Sequence, residues 1–465
     1  MAAVKAITQE TFDQVVRENI EDFEMEEMEA VNDAVEQFTS QGVSLTMIIK
    51  AAKKDGHKVI KLVEELKSIS GEDLSDSDNE CLKSVLNLLT TQFKNDLANR
   101  YQAAKIANAH KIVFEICQVH KENKEIFPIC LATFASLIDG QPDLISTDGI
   151  DFLLTHLQVA DDEEITALFL RIIRFSCTKH ESNRVHLVKS NGIEHIMLSA
   201  ERFKGSISVV REACGALRCL TMDDDVRVQF GKAHEHTKLV VMEHSGLERL
   251  FQLARTHEQH ATVSSEVCLT MGKLMVRNEF CQQLVDLGGL DLILSITEIH
   301  IDKQNVVRQC VTLLKAISGN DDVKVAVVKA GGIDFLLKTL NNHKSNASIC
   351  EACFAALTTL ALRNPSHCDA IMSKNAALLM KEAMLEHSDH PGVQKQACMA
   401  VRNLVARTRH HTKAFIDHGV EGLIRRAREQ HKKVLEDESK AALRDLEVDV
   451  ELKERWRGEN IGITS

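Results

Sequence analysis

At 465 residues the chain exceeds what one hydrophobic core usually serves, so it is either several domains or a repeat array that grows by stacking. Four prolines, one Trp and one Tyr beside a 44% apolar fraction suit helices and exclude most sandwiches and barrels. A net charge of -12 excludes a general nucleic-acid or acidic-membrane binder, since either needs surplus Lys and Arg, but leaves room for a local basic strip.

The N-terminal Met-Ala-Ala-Val-Lys-Ala-Ile-Thr lacks the apolar core of a signal peptide, and no apolar run approaches the ~20 residues that span a bilayer. The expectation is a soluble cytoplasmic protein, also compatible with the nucleus, whose thirteen cysteines are reduced thiols. Residues 1–67 read as an acidic helical region. Over 10–29, Phe12, Val15, Val16, Ile20 and Phe23 follow a helical stripe among nine acids, which predicts an acidic amphipathic helix. Two roles fit that helix: packing on or capping an array, or acting as a lid over a basic groove.

The polar, acidic run 68–80 predicts a flexible linker. Within it, Ser75 and Ser77 each precede an acid by three residues and are candidate phosphosites, each gaining about -1.5 to -2 charges on modification. From there to residue 448 the chain is periodic. A small residue followed by an apolar one recurs at Gly149-Ile150, Gly192-Ile193, Gly246-Leu247, Gly289-Leu290, Gly332-Ile333, Asn375-Ala376 and Gly419-Val420, with spacings of 43, 54, 43, 43, 43 and 44. The spacing of 54 implies one 11-residue insertion, expected near 233–244 as a solvated loop containing His234-Glu235-His236. Leu220, Leu274, Ile317, Leu360, Leu404 and Leu446 keep the same register, and each unit divides into three helical patterns. A left-handed C-cap at the landmark glycine accounts for the turn between the first two helices. Asp224-Asp225 and Asp321-Asp322 are expected to cap first helices. Residues 449–465, with the single Trp456, form a C-terminal cap or tail.

Gly-Gly-Ile-Asp-Phe-Leu-Leu at 331–337, with Ala-Cys-x-Ala-Ala-Leu-x-x-Leu about 20 residues later and Ala-Cys-x-Ala-Leu-x-x-Leu at 213–220, resembles the second and third helices of armadillo repeats. Weaker units begin around Ala103, where Asn108-Ala109 replaces the glycine pair. In the first fifty residues, Gln9-Glu10-Thr11-Phe12-Asp13, Val16-Arg17-Glu18-Asn19-Ile20-Glu21 and Ser40-Gln41-Gly42-Val43 resemble the N-terminal region of the armadillo repeat-containing protein 6 family. The resemblance implies an all-α, right-handed solenoid of armadillo repeats over 81–448 with an N-terminal helical extension. It also implies a concave groove, lined by third helices, that holds an extended peptide.

On those third helices basic residues recur: Arg174, Arg218, Lys273, Lys315, Arg402 and Arg444, with Asn403 beside Arg402. They are the peptide-groove candidates, and they favour an acidic or phosphorylated segment of a protein partner bound by a monomer. A nuclear transport adaptor is the alternative. Against it, only Asn403 matches the groove asparagine of importin-α-type receptors, and no third helix carries a Trp.

No phosphate-loop, nucleophile-elbow or dinucleotide fingerprint appears, so neither an enzyme nor a cofactor is expected. No metal site is expected either, because His234 and His236 alone fall short of the three or four ligands zinc needs. Cys214, Cys268, Cys310, Cys353 and Cys398 repeat with the period and are expected to be packing residues, with Cys350 an incidental neighbour of Cys353.

Overall fold

The computed structural model describes residues 5–45, 48–50, 57–69 and 74–450 and divides the chain into two compact units, residues 1–249 and 250–465. Trp456 and most of the expected tail lie outside the described residues. Both units are all-α stacks of short helices. The one strand contact among the described residues is a two-residue parallel pairing of Lys5–Ala6 with Val43–Ser44.

The single helix expected over 10–29 is two helices, Gln9–Phe23 and Glu27–Ser40, broken where Glu24 turns left-handed. Phe12 nevertheless enters a core with Val31, Ala34, Phe38, Leu45 and Ile48, whereas Phe23 at the break is exposed. This layer docks on the helix Leu97–Ala107. Asp13 accepts a hydrogen bond from the Tyr101 hydroxyl and pairs with Lys105. Burial pushes the Tyr101 phenol up to about 12, so it stays protonated and donates. Of the two roles considered for the acidic helix, packing on the end of the array accounts for these contacts.

Residues 76–80 are the first turn of the helix Asp76–Asn95, not linker. The acidic run begins a helix because Ser75 accepts from the Asp78 amide and the acids face the positive end of the helix dipole. That helix and His57–Ser68 pack as part of the stack, which therefore starts before residue 81.

In each unit the third helices stack on one another. The first unit holds Asp76–Asn95, Ile126–Ile138, Glu163–Cys177 and Ile207–Leu220. The second holds Ala261–Leu274, Gln304–Ile317, Ala347–Ala361, Pro391–Val405 and Lys432–Asp445. The five periodic cysteines lie buried on these helices, and the Cys268 and Cys310 sulfurs sit 4.0 Å apart across one junction.

The landmark residue is the expected left-handed one at Asn375 (φ 57°) and Gly419 (φ 73°), whereas the glycine at 332 has a different reason. The left-handed residue is Gly331, one position earlier (φ 87°), whereas Gly332 opens the second helix so tightly that a Cβ there would lie 2.5 Å from Val327 Cγ1. The structural equivalent of Gly332 in the next unit is Ala376, because Asn375 is its left-handed residue (φ 57°).

A second column also emerges. His300, His343, His387 and His431 cap the C-termini of second helices. His300, His387 and His431 bond through Nε2 to the carbonyls of Glu258, Lys344 and Ser388 in the preceding repeat, at 2.8, 2.7 and 2.9 Å. His343 Nε2 is buried without a partner among the described residues.

The insertion is not a loop at 233–244. The usual three-residue connection, as at 318–320, becomes twelve residues at 221–232. The segment after it is the helix Ala233–Lys238 continued by the wide turn Leu239–Glu243, eleven residues where the first helices Asn278–Asp286 and Asp321–Lys329 have nine. The wide turn absorbs the surplus without breaking the helix.

Arg184, with a side-chain exposure of 0%, ties this loop to the preceding repeat. It donates to the carbonyls of Cys177 and Met222 at 2.7 and 2.6 Å and pairs with Glu181 and Asp224. Asp224-Asp225 therefore does not cap the helix that follows. Asp225 accepts the Glu181 amide at 2.9 Å, capping the preceding first helix Glu181–Lys189, because the long loop folds back over it. At 321–322 the cap is Asn320, with the two aspartates in the first turn.

Two outcomes follow from this clasp. Arg184→Ala leaves Glu181 and Asp224 uncompensated and lowers stability by about 3–5 kcal/mol, measured by urea unfolding. The His180 hydrogen bond, with Arg227 beside it, lowers the Asp143 carboxyl to about 2. A carboxyl held below its unfolded value of ~3.9 stabilises the fold above that pH and loses the contribution as pH falls through about 2. Wild type and Asp143→Asn should therefore differ in unfolding midpoint above pH ~4 and converge toward pH ~2.

Candidate binding faces on the third helices

In the first unit Arg171 and Arg174, one turn apart on Glu163–Cys177, reach across to Glu212 on Ile207–Leu220. Arg171 Nε donates to Oε1 at 3.1 Å, Arg174 Nε to Oε2 at 2.9 Å, and Arg211 Nη2 to Oε1 at 3.3 Å. Glu212 is buried, with 4% of its side chain exposed, while the three guanidiniums remain a third to a half exposed. An isolated buried carboxylate would be costly, and charge-assisted bonds from three arginines compensate it. The group as a whole keeps a surplus of two positive charges at the surface.

Its geometry is fixed by packing. A Cβ on Gly215 would lie 2.5 Å from Arg174 Cδ, so only glycine lets the arginine stem cross the neighbouring helix. The Arg174 guanidinium also lies 4.4 Å over the Phe175 ring. Arg218, seven residues beyond Arg211, shares that helix face and is partly exposed.

The second unit repeats the device with different residues. Asp445, with 8% side-chain exposure, accepts from Arg444 Nε at 2.9 Å and pairs with Arg402 at 3.5 Å and Arg409 at 3.7 Å. All three arginines are about half exposed, and Arg409 also pairs with the exposed Glu447 at 3.7 Å, which leaves this group a surplus of one positive charge. Lys273 and Lys315, on Ala261–Leu274 and Gln304–Ile317, are exposed with no ion pair among the described residues. Asn403 is engaged internally: its Nδ2 donates to the Thr358 carbonyl at 3.0 Å, tying two third helices together.

Of the seven groove candidates, Arg174 thus joins one arginine trio, and Arg402 and Arg444 join the other. Arg171, Arg211 and Arg409, and the two buried acids that organise them, escaped the sequence reading. The signal was present: Glu212 lies 54 residues before Glu266 in the repeat column next to the cysteines, and Asp445 occupies the position of Asn403, just before the landmark leucine.

Three other sets of residues singled out in the sequence have defined surroundings. His236 is not in a solvated loop; it is buried with Nδ1 3.1 Å from the Leu220 carbonyl, while His234 is exposed. Ser75 caps a helix and Ser77 is exposed in its first turn. Cys350 is buried, its sulfur 3.3 Å from the Lys344 carbonyl.

Family comparisons match this architecture. The ARMC6 profile covers residues 59–463, and that of the armadillo repeat-containing protein 6 N-terminal domain covers 4–72. The chain belongs to the armadillo repeat-containing protein 6 family. Armadillo repeat-containing protein 6 of Homo sapiens is 41% identical over 382 residues, covering 78% of this chain and 75% of the human one. The homolog of Drosophila melanogaster is 34% identical over 372 residues, covering 78% of each chain.

Among solved structures, an engineered protein aligns with a TM-score of 0.64 at 17% identity, covering 95% of this chain and 99% of its own. A chain from a study of a phosphorylation switch in the cadherin–β-catenin interaction aligns with a TM-score of 0.60 at 14% identity, covering 94% and 83%. These two likenesses concern the fold alone. The armadillo-repeat architecture supports a protein-interaction scaffold, and no described helix is long and apolar enough to cross a membrane.

The thiols of this family member give a direct check on the stack. Burial raises the Cys398 thiol to about 12 and also lifts Cys353, and twelve of the thirteen cysteines are buried. An aromatic disulfide reagent at pH 8 should titrate one thiol, Cys81, quickly in the native chain and the other twelve only after denaturation. Fast reaction at the cysteines of the third helices would contradict their packing.

Proposed function

We propose that the chain is a non-enzymatic interaction scaffold whose third-helix faces hold extended acidic or phosphorylated segments of a partner protein. The observation that carries this reading is the pair of arginine trios, each arranged around one buried carboxylate and each left with surplus positive charge at the surface. A guanidinium has five donors, so an arginine already bonded to Glu212 or Asp445 keeps donors for a second acceptor in a fixed direction. Planar carboxylates and phosphates are the acceptors that fit such a fork.

Exposed Lys273 and Lys315 extend the cationic character along the second unit. Each good charge-assisted bond contributes about 1.5–3 kcal/mol, so a few suffice to select an acidic strand. The solved neighbour from the cadherin–β-catenin study involves a phosphorylation switch in its own interaction. That likeness does not carry the preference for phosphate here; the arginine trios do. Asn403, the one residue matching the importin-type groove, is committed to the Thr358 carbonyl, which favours the scaffold reading over that of a transport adaptor.

Binding of a fluorescent peptide of alternating phosphoserine and glutamate should weaken at least about tenfold in a Lys273→Glu, Lys315→Glu, Arg402→Glu variant, and should weaken with added salt. All three substituted residues are exposed. Equal, salt-independent affinity of wild type and a folded variant would count against the reading.

A further inference from the structure

We propose that Asp369, His410 and His411 form a binding site for a transition-metal ion, with Zn²⁺ the ion that fits best. Asp369 comes from the first helix of one repeat, Pro365–Met372, and the histidines come from the turn Arg409–His411 that opens the next. His410 Nε2 lies 3.0 Å and His411 Nε2 2.7 Å from the same oxygen, Asp369 Oδ1, and the three donor atoms fall within 4.8 Å of one another. Zinc bonds of 2.0–2.2 Å place neighbouring ligand atoms about 3.3 Å apart in a tetrahedron. The two histidine–carboxylate distances therefore open by about 0.3 and 0.6 Å to admit the ion, with the two imidazole nitrogens, within 4.8 Å of each other, adjusting to the same edge.

The donor set selects the metal. Two imidazole nitrogens with one carboxylate suit zinc and its transition-metal neighbours, whereas magnesium and calcium take oxygen ligands. In the ion-free geometry each Nε2 must direct a hydrogen at the shared carboxylate oxygen. On binding, each ring carries its hydrogen on Nδ1 and offers the Nε2 lone pair to the ion.

His411 is held in place at 15% side-chain exposure, while His410 at 66% and Asp369 at 54% leave the outer side open. Water can complete the coordination there, as in sites with three protein ligands. The His411 hydrogen bond, with His410 beside it, keeps the Asp369 carboxyl below its ordinary value, so the ligand is ionised at neutral pH. A bound ion would cross-link the first helices of two adjacent repeats. Neither the family nor the scaffold reading assigns this function.

The test uses the full chain, stripped with a chelator and titrated with Zn²⁺ against a chromophoric competitor, alongside Co²⁺ absorption spectra. The expected result is one site whose affinity falls at least about tenfold in His411→Ala and in Asp369→Ala but survives in Asp369→His, because three histidines also hold zinc. The Co²⁺ complex should show visible d–d bands without a thiolate charge-transfer band. Unchanged affinity in both alanine variants, no uptake by the wild type, or a thiolate band marking cysteine ligation would each overturn the proposal. Circular dichroism checks that the variants remain folded.

Discussion

No helix of an armadillo repeat can bury its apolar face within its own repeat, so the packing of one third helix on the next is the interaction from which the rest of each unit follows. Close approach demands small or compact residues on the shared face, which is why cysteine recurs at one position from Cys214 to Cys398. Polar groups that enter these junctions must find partners there. Thr90 and Thr133 bond to each other at 2.8 Å, and Asn403 bonds across to the Thr358 carbonyl. The second helices add a seam of their own in the histidine column of the second unit, where each bonded imidazole reaches one repeat back.

The same packing shapes the charge on the faces it leaves exposed. Glu212 and Asp445 lie too deep for water to solvate them fully, so each draws arginines from its own and adjoining elements. Three cations outnumber Glu212, and at the other site they outnumber Asp445 together with Glu447, so an excess appears at the surface in a geometry fixed by packing. A chain with a net charge of -12 thereby presents cationic faces, because local charge is set by which residues the stack brings together and not by the overall count.

Much of this was legible in the sequence, for physical reasons that also mark where legibility ended. A Cβ at Gly332 would strike the preceding helix, whereas at Asn375 and Gly419 the marked residue is itself the left-handed turn, and spacing alone does not separate the two. The landmarks at 220 and 246 bound the insertion but do not place it, since a twelve-residue connection with a widened helix keeps the same spacing as a solvated loop. Glu24 breaks the N-terminal helix with no glycine or proline to announce it. The repeat position of Glu212 was legible but its burial was not: it sits inside an apolar motif, and the neighbouring helix is what sets it against three cations.

The central claim is that partners are held on the cationic faces of the third helices. Hydrogen exchange of the full chain with and without a partner captured from cells tests it most directly, read peptide by peptide. The account predicts that bound partner slows exchange and blocks surface labelling on 163–177, 207–220 and 391–405, while the second-helix segments 289–299 and 332–342 are unchanged. Protection confined to second helices or to the N-terminal layer, with the third helices unaltered, would contradict it.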